Sequence, residues 1–159
     1  MTETATYPSA QSPAPAGVSL PRPEGWDVLA VPAALLALGK RDHAPTEFQP
    51  NVVVTTRRGI GSTLEEAAAA TVAALESLEG WEEVGQEFRD TFGGRPGFRI
   101  EGAFSHPQVG TLYQAAVIAV VERGPFTDVV QVVGSCSASQ VNQCLPVIRA
   151  ILQDATVTD

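Results

Sequence analysis

The stretch that decides the fold is Leu112-Tyr-Gln-Ala-Ala-Val-Ile-Ala-Val-Val-Glu122, followed after Arg123-Gly-Pro-Phe-Thr127 by Asp128-Val-Val-Gln-Val-Val-Gly-Ser135. Both runs are rich in Val, and Arg123-Gly-Pro-Phe-Thr127 between them fits a turn, so they predict two strands joined as a hairpin. The first is apolar on both faces. In the second, Val129 and Val133 oppose Val130 and Val132. A strand apolar on both faces needs cover on both sides, so the pattern predicts a layered domain with helices or loops on each face.

Upstream, Gly97–Phe104 alternates, with Phe98, Ile100 and Phe104 on one face and Arg99, Glu101 and Ser105 on the other. Glu83–Phe92 predicts a weaker strand. Asn51–Arg58 is a strand by its run of Val52, Val53, Val54, Thr55 and Thr56, and another is expected near Trp26–Ala30. Between these last two, Pro32-Ala-Ala-Leu-Leu-Ala-Leu-Gly39 has proline near its start and glycine at its end, the punctuation of a short helix. Lys40–Pro50 is polar, contains two prolines and predicts a loop.

Two further helices are expected. Ser62-Thr-Leu-Glu65 has the form of a capping box, and Leu64, Ala67, Ala68, Thr71, Leu75 and Leu78 then fall on one stripe, with Gly80 as the stop. Downstream, Ser139–Asp154 carries a stripe of Val141, Cys144, Leu145, Ile148, Ile151 and Leu152. Pro146 lies inside it, removes the bond to the Asn142 carbonyl, and predicts a bend or a later start.

The chain has 159 residues, enough for one domain with a core that needs neither disulfides nor a metal. Residues 1–16 are rich in Thr, Ser, Ala and Pro and predict a disordered tail. The domain is expected over 17–155, with a short tail at 156–159.

Ten Lys+Arg against 18 Asp+Glu give a net charge of −8, which argues against a nucleic-acid partner. Residues 65–90 hold eight acids and one base, Arg89. That run is either a solvated helix face with a polar strand or a patch that steers a basic partner. The longest apolar runs, Ala30–Leu38 and Ala115–Val121, are too short to span a bilayer. Met1–Gly17 lacks the basic start and apolar run of a signal peptide, so the expected location is the cytoplasm, with Cys136 and Cys144 as thiols.

Motifs for chemistry are sparse. Gly59-Ile-Gly61-Ser-Thr-Leu64 lies where a dinucleotide fingerprint would, but Leu64 takes the third glycine position and Glu65 and Glu66 would repel a pyrophosphate. There is no HExxH or CxxC motif, so no metal or other cofactor is expected. Gly134-Ser-Cys lacks the second glycine of a nucleophile elbow, which leaves Ser135 or Cys136 with His106 as a remote hydrolase dyad. The most distinctive stretch is Phe92-Gly-Gly-Arg-Pro-Gly-Phe98, either a hairpin corner with Phe98 in the core or a rigid turn that presents Arg95 to a partner.

Several of these stretches in this order carry a resemblance: Gly25-Trp26-Asp-Val, Pro50-Asn51-Val-Val-Val-Thr55, Leu78-Glu-Gly80-Trp81, Gly94-Arg95-Pro96-Gly-Phe-Arg-Ile-Glu-Gly102 and Val130-Gln131. From about residue 18 to 153 the chain resembles the LpqN/LpqT family of actinobacterial proteins, within the superfamily of PsbP-like fold. The resemblance implies an α+β domain, an α/β/α sandwich with an antiparallel sheet of about six strands between helices. It also implies a binding role, since the family's named members are envelope-linked lipoproteins without an established enzyme among them. Its superfamily relatives include extrinsic photosystem subunits, a Ran-binding import factor and secretion-effector chaperones. The lipobox cysteine of a lipoprotein is absent here, so membrane anchoring does not carry over.

Three functions follow as expectations. The first is a non-enzymatic cytoplasmic protein-binding module, an adaptor or chaperone for secretion or envelope assembly, with contacts at Arg95, Phe98, Phe104 and His106 on the less covered sheet face and the 92–98 turn. The second is a carrier of a small apolar ligand, which needs a cavity of at least a few hundred Å³. The third is the hydrolase. A homodimer through an exposed edge strand is a further expectation.

Overall fold

The computed structural model describes residues 1–158. Nine strands and two helices follow in the order β1 (Gly17–Ser19), β2 (Trp26–Val28), β3 (Leu36–Lys40), β4 (Asn51–Gly59), α1 (Leu64–Glu76), β5 (Glu82–Thr91), β6 (Arg95–His106), β7 (Gly110–Arg123), β8 (Phe126–Ser137), α2 (Val141–Gln153) and β9 (Thr156–Thr158). Seven strands form one antiparallel sheet in the order β2-β3-β4-β8-β7-β6-β5, and β1 pairs with β9 in a separate ribbon. The fold is α+β, with one strand more in the main sheet than the six expected.

The crossover has a simple physical basis. β4 and β5 are four strand spacings apart, about 19 Å at 4.8 Å each. The 13 residues of α1 rise about 20 Å, enough to carry the chain over β8, β7 and β6 to the far edge. From there β5 to β8 meander back to β4. Helix α1 buries Ala67 and Ala68 on Phe98, Ile100, Ala116, Ile118 and Val129. Helix α2 buries Cys144, Ile148, Ile151 and Leu152 on the other face, against Val52, Val54, Val117, Val130 and Val132. The two-faced apolar pattern of β7 thus gives two cores.

Four expectations change. Residues 32–39 are not a helix. Leu36 pairs with Val54 and Leu38 with Val52, so alternate residues of a helix-prone run enter one core, and a lone two-turn helix cannot compete. Thr63, rather than Ser62, caps α1, its hydroxyl accepting from the Glu66 amide at 3.2 Å, because the Ser62 amide already donates to Thr127 Oγ1 at 3.0 Å. The helix stops at Glu76, and Gly80, at φ +68°, serves the turn into β5. At the other terminus, Thr156–Thr158 forms β9 instead of a tail.

The N-terminal segment lacks regular structure before β1, yet its last residues are held. Arg58 donates to the Pro13 carbonyl at 2.6 Å, Arg123 donates to that of Ala14, and Ala16 lies in the α2-side core. Arg58 is fixed in turn by a two-pronged bond to Asp128, a carboxylate with no exposed surface. Pro146 is accommodated inside α2, which a single 3-10 turn, Ala138–Gln140, precedes.

Candidate functional site

Strand β6 carries all four expected contact residues, and its geometry separates them. Over 12 residues at about 3.3 Å each, Arg95 and His106 stand at opposite ends, roughly 36 Å apart. Alternation puts Arg95 on the α2 face and Phe98, Phe104 and His106 on the α1 face. Phe98 is a core residue at 2% exposure, in tilted contact with Phe88, with ring centroids 4.9 Å apart and planes at 54°. Phe104 is half-buried, and His106 Nδ1 accepts from the Gln108 amide in the hairpin. The 92–98 corner sends its two aromatics to opposite layers, Phe92 beneath α2 and Phe98 beneath α1. Phe92 adopts φ +50° there, next to two glycines that also lie at positive φ.

The hydrolase constellation does not assemble. Ser135 and Cys136 point to opposite faces of β8, and Ser135 accepts from Gln114. Gln114 is opposite Gly102, so His106 lies two strands away and four residues further along. Burial pushes the Cys136 thiol up to about 11, with Cys144 adding to the shift, the reverse of an activated nucleophile.

The first arrangement with binding character is a groove of about 360 Å³ between α1 and the edge strand β5. Helix α1 packs over β6 and β7 and leaves β5 uncovered on that face. The groove is floored by Ala69, Val72, Ala73, Phe88 and Phe98, with Glu65 and Glu76 at its rim. Phe88 is 58% exposed and Val84 66%. The outer edge of β5 has no neighbouring strand among the described residues. A register shift between Glu83 and Gly85 and the charges of Glu82, Glu83, Glu87 and Asp90 guard that edge against indiscriminate pairing.

The second arrangement is a cavity of about 230 Å³ on the opposite face, where α2 crosses β5 to β7. At its wall Glu101 is 2% exposed. Its carboxylate accepts from Arg149 Nη2 at 2.7 Å and Nε at 3.1 Å, from Tyr113 Oη at 2.7 Å, and pairs with Arg99 Nη2 at 2.9 Å. Burial pushes the Glu101 carboxyl up, but the bonds from Arg149 and Tyr113 and the two arginine charges outweigh it, and the group is held below its ordinary range. Tyr113 is pushed up to about 12, first by burial and then by its bond to that carboxylate. A smaller cavity of about 130 Å³ lies beneath α1, beside Trp81, Arg57 and Gln131. Neither enclosed space is an apolar chamber of the size a lipid carrier needs.

Of the four expected contact residues, only Phe98 lines the groove, from beneath; the sequence alone does not single out Val84, Phe88, Tyr113 and Arg149. A signal existed for two of them. Phe88 is the one aromatic inside an acidic strand, and Arg149 sits four residues after Leu145 and three before Leu152, at the margin of a buried stripe.

The family model described as probable lipoprotein LpqN matches residues 3–158. Among solved structures, the chain is similar to LpqN of Mycobacterium tuberculosis, described as involved in cell envelope biogenesis, with a TM-score of 0.79 and 18% identity over 92% of this chain and 86% of that one. It is also similar to cyanobacterial PsbP from Synechocystis, with a TM-score of 0.54 and 12% identity over 99% and 98% of the two chains. The yeast Ran-binding protein Mog1p from Saccharomyces cerevisiae gives a TM-score of 0.56 and 13% identity over 89% and 90%. No curated protein gave a match. At these identities the structural likenesses speak for the PsbP-like fold alone.

Proposed function

The chain belongs to the LpqN family of probable lipoproteins, and from that premise we propose that it is a non-enzymatic protein-binding module, an adaptor or chaperone serving cell-envelope assembly. The observation that carries this reading is the β5 edge. Its outer side runs for ten residues with no neighbouring strand among the described residues, and beside it lie two exposed apolar side chains and a groove lined by small residues. An extended segment of a partner can add to that edge as an eighth strand and seat one apolar side chain between Phe88 and α1. The acids on β5 and at the groove rim select a segment in which apolar residues alternate with Lys or Arg.

The same charges weigh against a homodimer through this edge, because pairing β5 with its own copy sets Glu82, Glu83, Glu87 and Asp90 against one another with only Arg89 to offset them. The envelope link is drawn from the description of the mycobacterial relative, and a protein partner accords with the description of the yeast one. No helix among the described residues is long and apolar enough to cross a membrane. The proposed compartment is the cytoplasm, a reading supported by Cys136 and Cys144, free thiols within one core.

The test is a titration of ¹⁵N-labelled protein with a ten-residue peptide alternating Val and Lys, with a Val/Glu peptide as control. Saturable shifts and slowed amide exchange along Glu82–Thr91, absent with the acidic peptide and lost in V84T/F88S, support the reading. Shifts elsewhere, or equal binding of both peptides, refute it. Host capture with the wild type and V84T/F88S then identifies the partner, and osmotic fractionation tests the compartment.

A further inference from the structure

The groove on the α1 face leaves the polar cavity under α2 without a role. Three of the chain's ten basic residues, Arg89, Arg99 and Arg149, line it, against two acids, Asp90 and Glu101. The protein as a whole carries −8, so a local excess of guanidinium is not its general habit.

The donor count is more telling than the charge count. Arg149 donates Nε and Nη2 to Glu101, and Arg99 Nη2 is ion-paired with the same carboxylate at 2.9 Å. Each guanidinium has five N–H donors. The Nη1 group of Arg149, and Nε and Nη1 of Arg99, meet no protein acceptor among the described residues. Among the described residues, the one polar partner of the Arg89 side chain is the carboxylate of Glu87, at 3.3 Å, with both side chains about half exposed. A pair of that kind is weak and readily exchanged. The hydroxyl of Thr91, a further residue of the wall, is buried and has no partner among the described residues. Buried hydroxyls are bonded to protein or to ordered water in the great majority of cases, so this one has capacity for a further bond at the wall. Ala115, Val117 and Leu152 complete the lining with apolar surface.

We propose that this cavity binds a small oxyanion, a carboxylate or phosphate ester with a short apolar body. Glu101 acts as a positioning residue. Its fixed charge holds Arg99 and Arg149 side by side at the wall and prevents them from swinging into solvent, and a fork of that kind matches an oxyanion. The anion takes the remaining donors of Arg99 and Arg149. Arg89, at the mouth, exchanges Glu87 for the ligand. The ligand's apolar part lies on Ala115, Val117 and Leu152. A volume of about 230 Å³ suits a short-chain acid or a phosphate, and excludes a lipid.

The experiment uses the whole chain, ¹⁵N-labelled, titrated separately with inorganic phosphate and with sodium butyrate while sodium chloride holds the ionic strength constant. Saturable shifts centred on Thr91, Arg99, Val117 and Gln153, with a Kd in the millimolar range or tighter, support the site. Saturation by phosphate alone, by butyrate alone or by both assigns the ligand as phosphate, carboxylate or either. Arg89 has no part in holding Glu101, so Arg89→Ala tests the site without endangering the fold, and is expected to weaken binding by about threefold or more. The proposal is overturned by shifts that stay linear to about 20 mM, which is beyond useful millimolar affinity, by drift spread over all surface arginines, or by unchanged affinity in R89A. The two titrations share the end of β5 but differ elsewhere, since Arg99, Val117 and Gln153 report the cavity and residues 82–88 report the edge, so either result stands without the other.

Discussion

Arg149 Nη2 and Glu101 Oε1 lie 2.7 Å apart although 48 residues separate them in the chain. The carboxylate is 2% exposed and the guanidinium 49%. The contact fastens the C-terminal helix to the middle of β6 and leaves one charge of the pair with no access to water. A group so placed depends on its partners for its solvation.

Arg149→Met is therefore expected to destabilise the fold by about 2–3 kcal/mol at neutral pH, short of the full cost of an orphaned buried charge because Arg99 and Tyr113 remain. Adding Glu101→Gln to that variant should recover part of the loss. The pH dependence follows from the direction of the shift. Glu101 is held below its usual 4.5, so its stabilisation is complete above that value and lost as pH falls through the lowered one. Urea unfolding at a series of acidic pH values should show a shallower acid limb for Glu101→Gln than for the wild type. Parallel limbs would mean that the carboxyl has its ordinary pKa.

Tyr113 governs the alkaline side. Its folded pKa, pushed up to about 12, exceeds the usual 10.0. The unfolded chain then releases the proton first, so stability is intact below pH 10 and declines as pH rises toward 12. Two pH units correspond to on the order of 2 kcal/mol over that window. Tyr113→Phe should cost about 1 kcal/mol at neutral pH through the lost hydrogen bond. The decline between pH 10 and 12 should be smaller in the variant, and an unchanged decline would remove Tyr113 as its cause.

These pairings mark the boundary of what the sequence makes legible. Strands β6 to β8 and both long helices are readable because period 2 and period 3.6 are written in adjacent residues. The capping of α1 was off by one residue because Ser62 is engaged by Thr127, 65 positions away. Leu36-Ala-Leu-Gly39 reads as helix until Val52 and Val54 are set beside it. β9 has three residues and gains its structure from β1, at the far end of the chain. The site follows the same rule. Arg95 reads as a turn residue, His106 as a hairpin residue and Phe104 as a strand-face residue, yet Arg95 lies at one end of β6 and the other two at the opposite end. Phe88 becomes visible once β5 is known to be an edge strand, and Glu101 once α2 is known to place Arg149 on it.

Gly134 illustrates a constraint of packing alone. A Cβ at this position would stand 2.2 Å from Ile148 Cγ2 and 3.5 Å from Val52 Cγ2. Gly134→Ala is expected to cost about 2–3 kcal/mol by overpacking. Ile148→Ala, at a site with no exposed surface, should cost about 3 kcal/mol through the cavity it leaves. The added methyl fills part of that cavity, so the double variant should be at least about 1 kcal/mol more stable than the sum of the singles predicts. Additive losses from chemical denaturation would mean that the helix shifts away instead of clashing.

The tilted pair of Phe88 and Phe98 separates a structural role from a binding one. Both line the groove, 4.9 Å apart, but Phe98 is 2% exposed and Phe88 58%. Phe98→Ser removes a core side chain from under α1 and should cost about 3–5 kcal/mol. Phe88→Ser loses little burial and part of one aromatic contact, so its cost should stay near 1 kcal/mol. Natural selection for stability alone gives no reason to keep a large apolar ring on an acidic edge strand, where a polar residue would guard better against aggregation. If the ring is there to receive a partner, Phe88→Ser will leave thermal unfolding close to the wild type and abolish binding of the Val/Lys peptide. If it is there to shield Phe98, the variant will bind the peptide normally and lose stability comparable to Phe98→Ser.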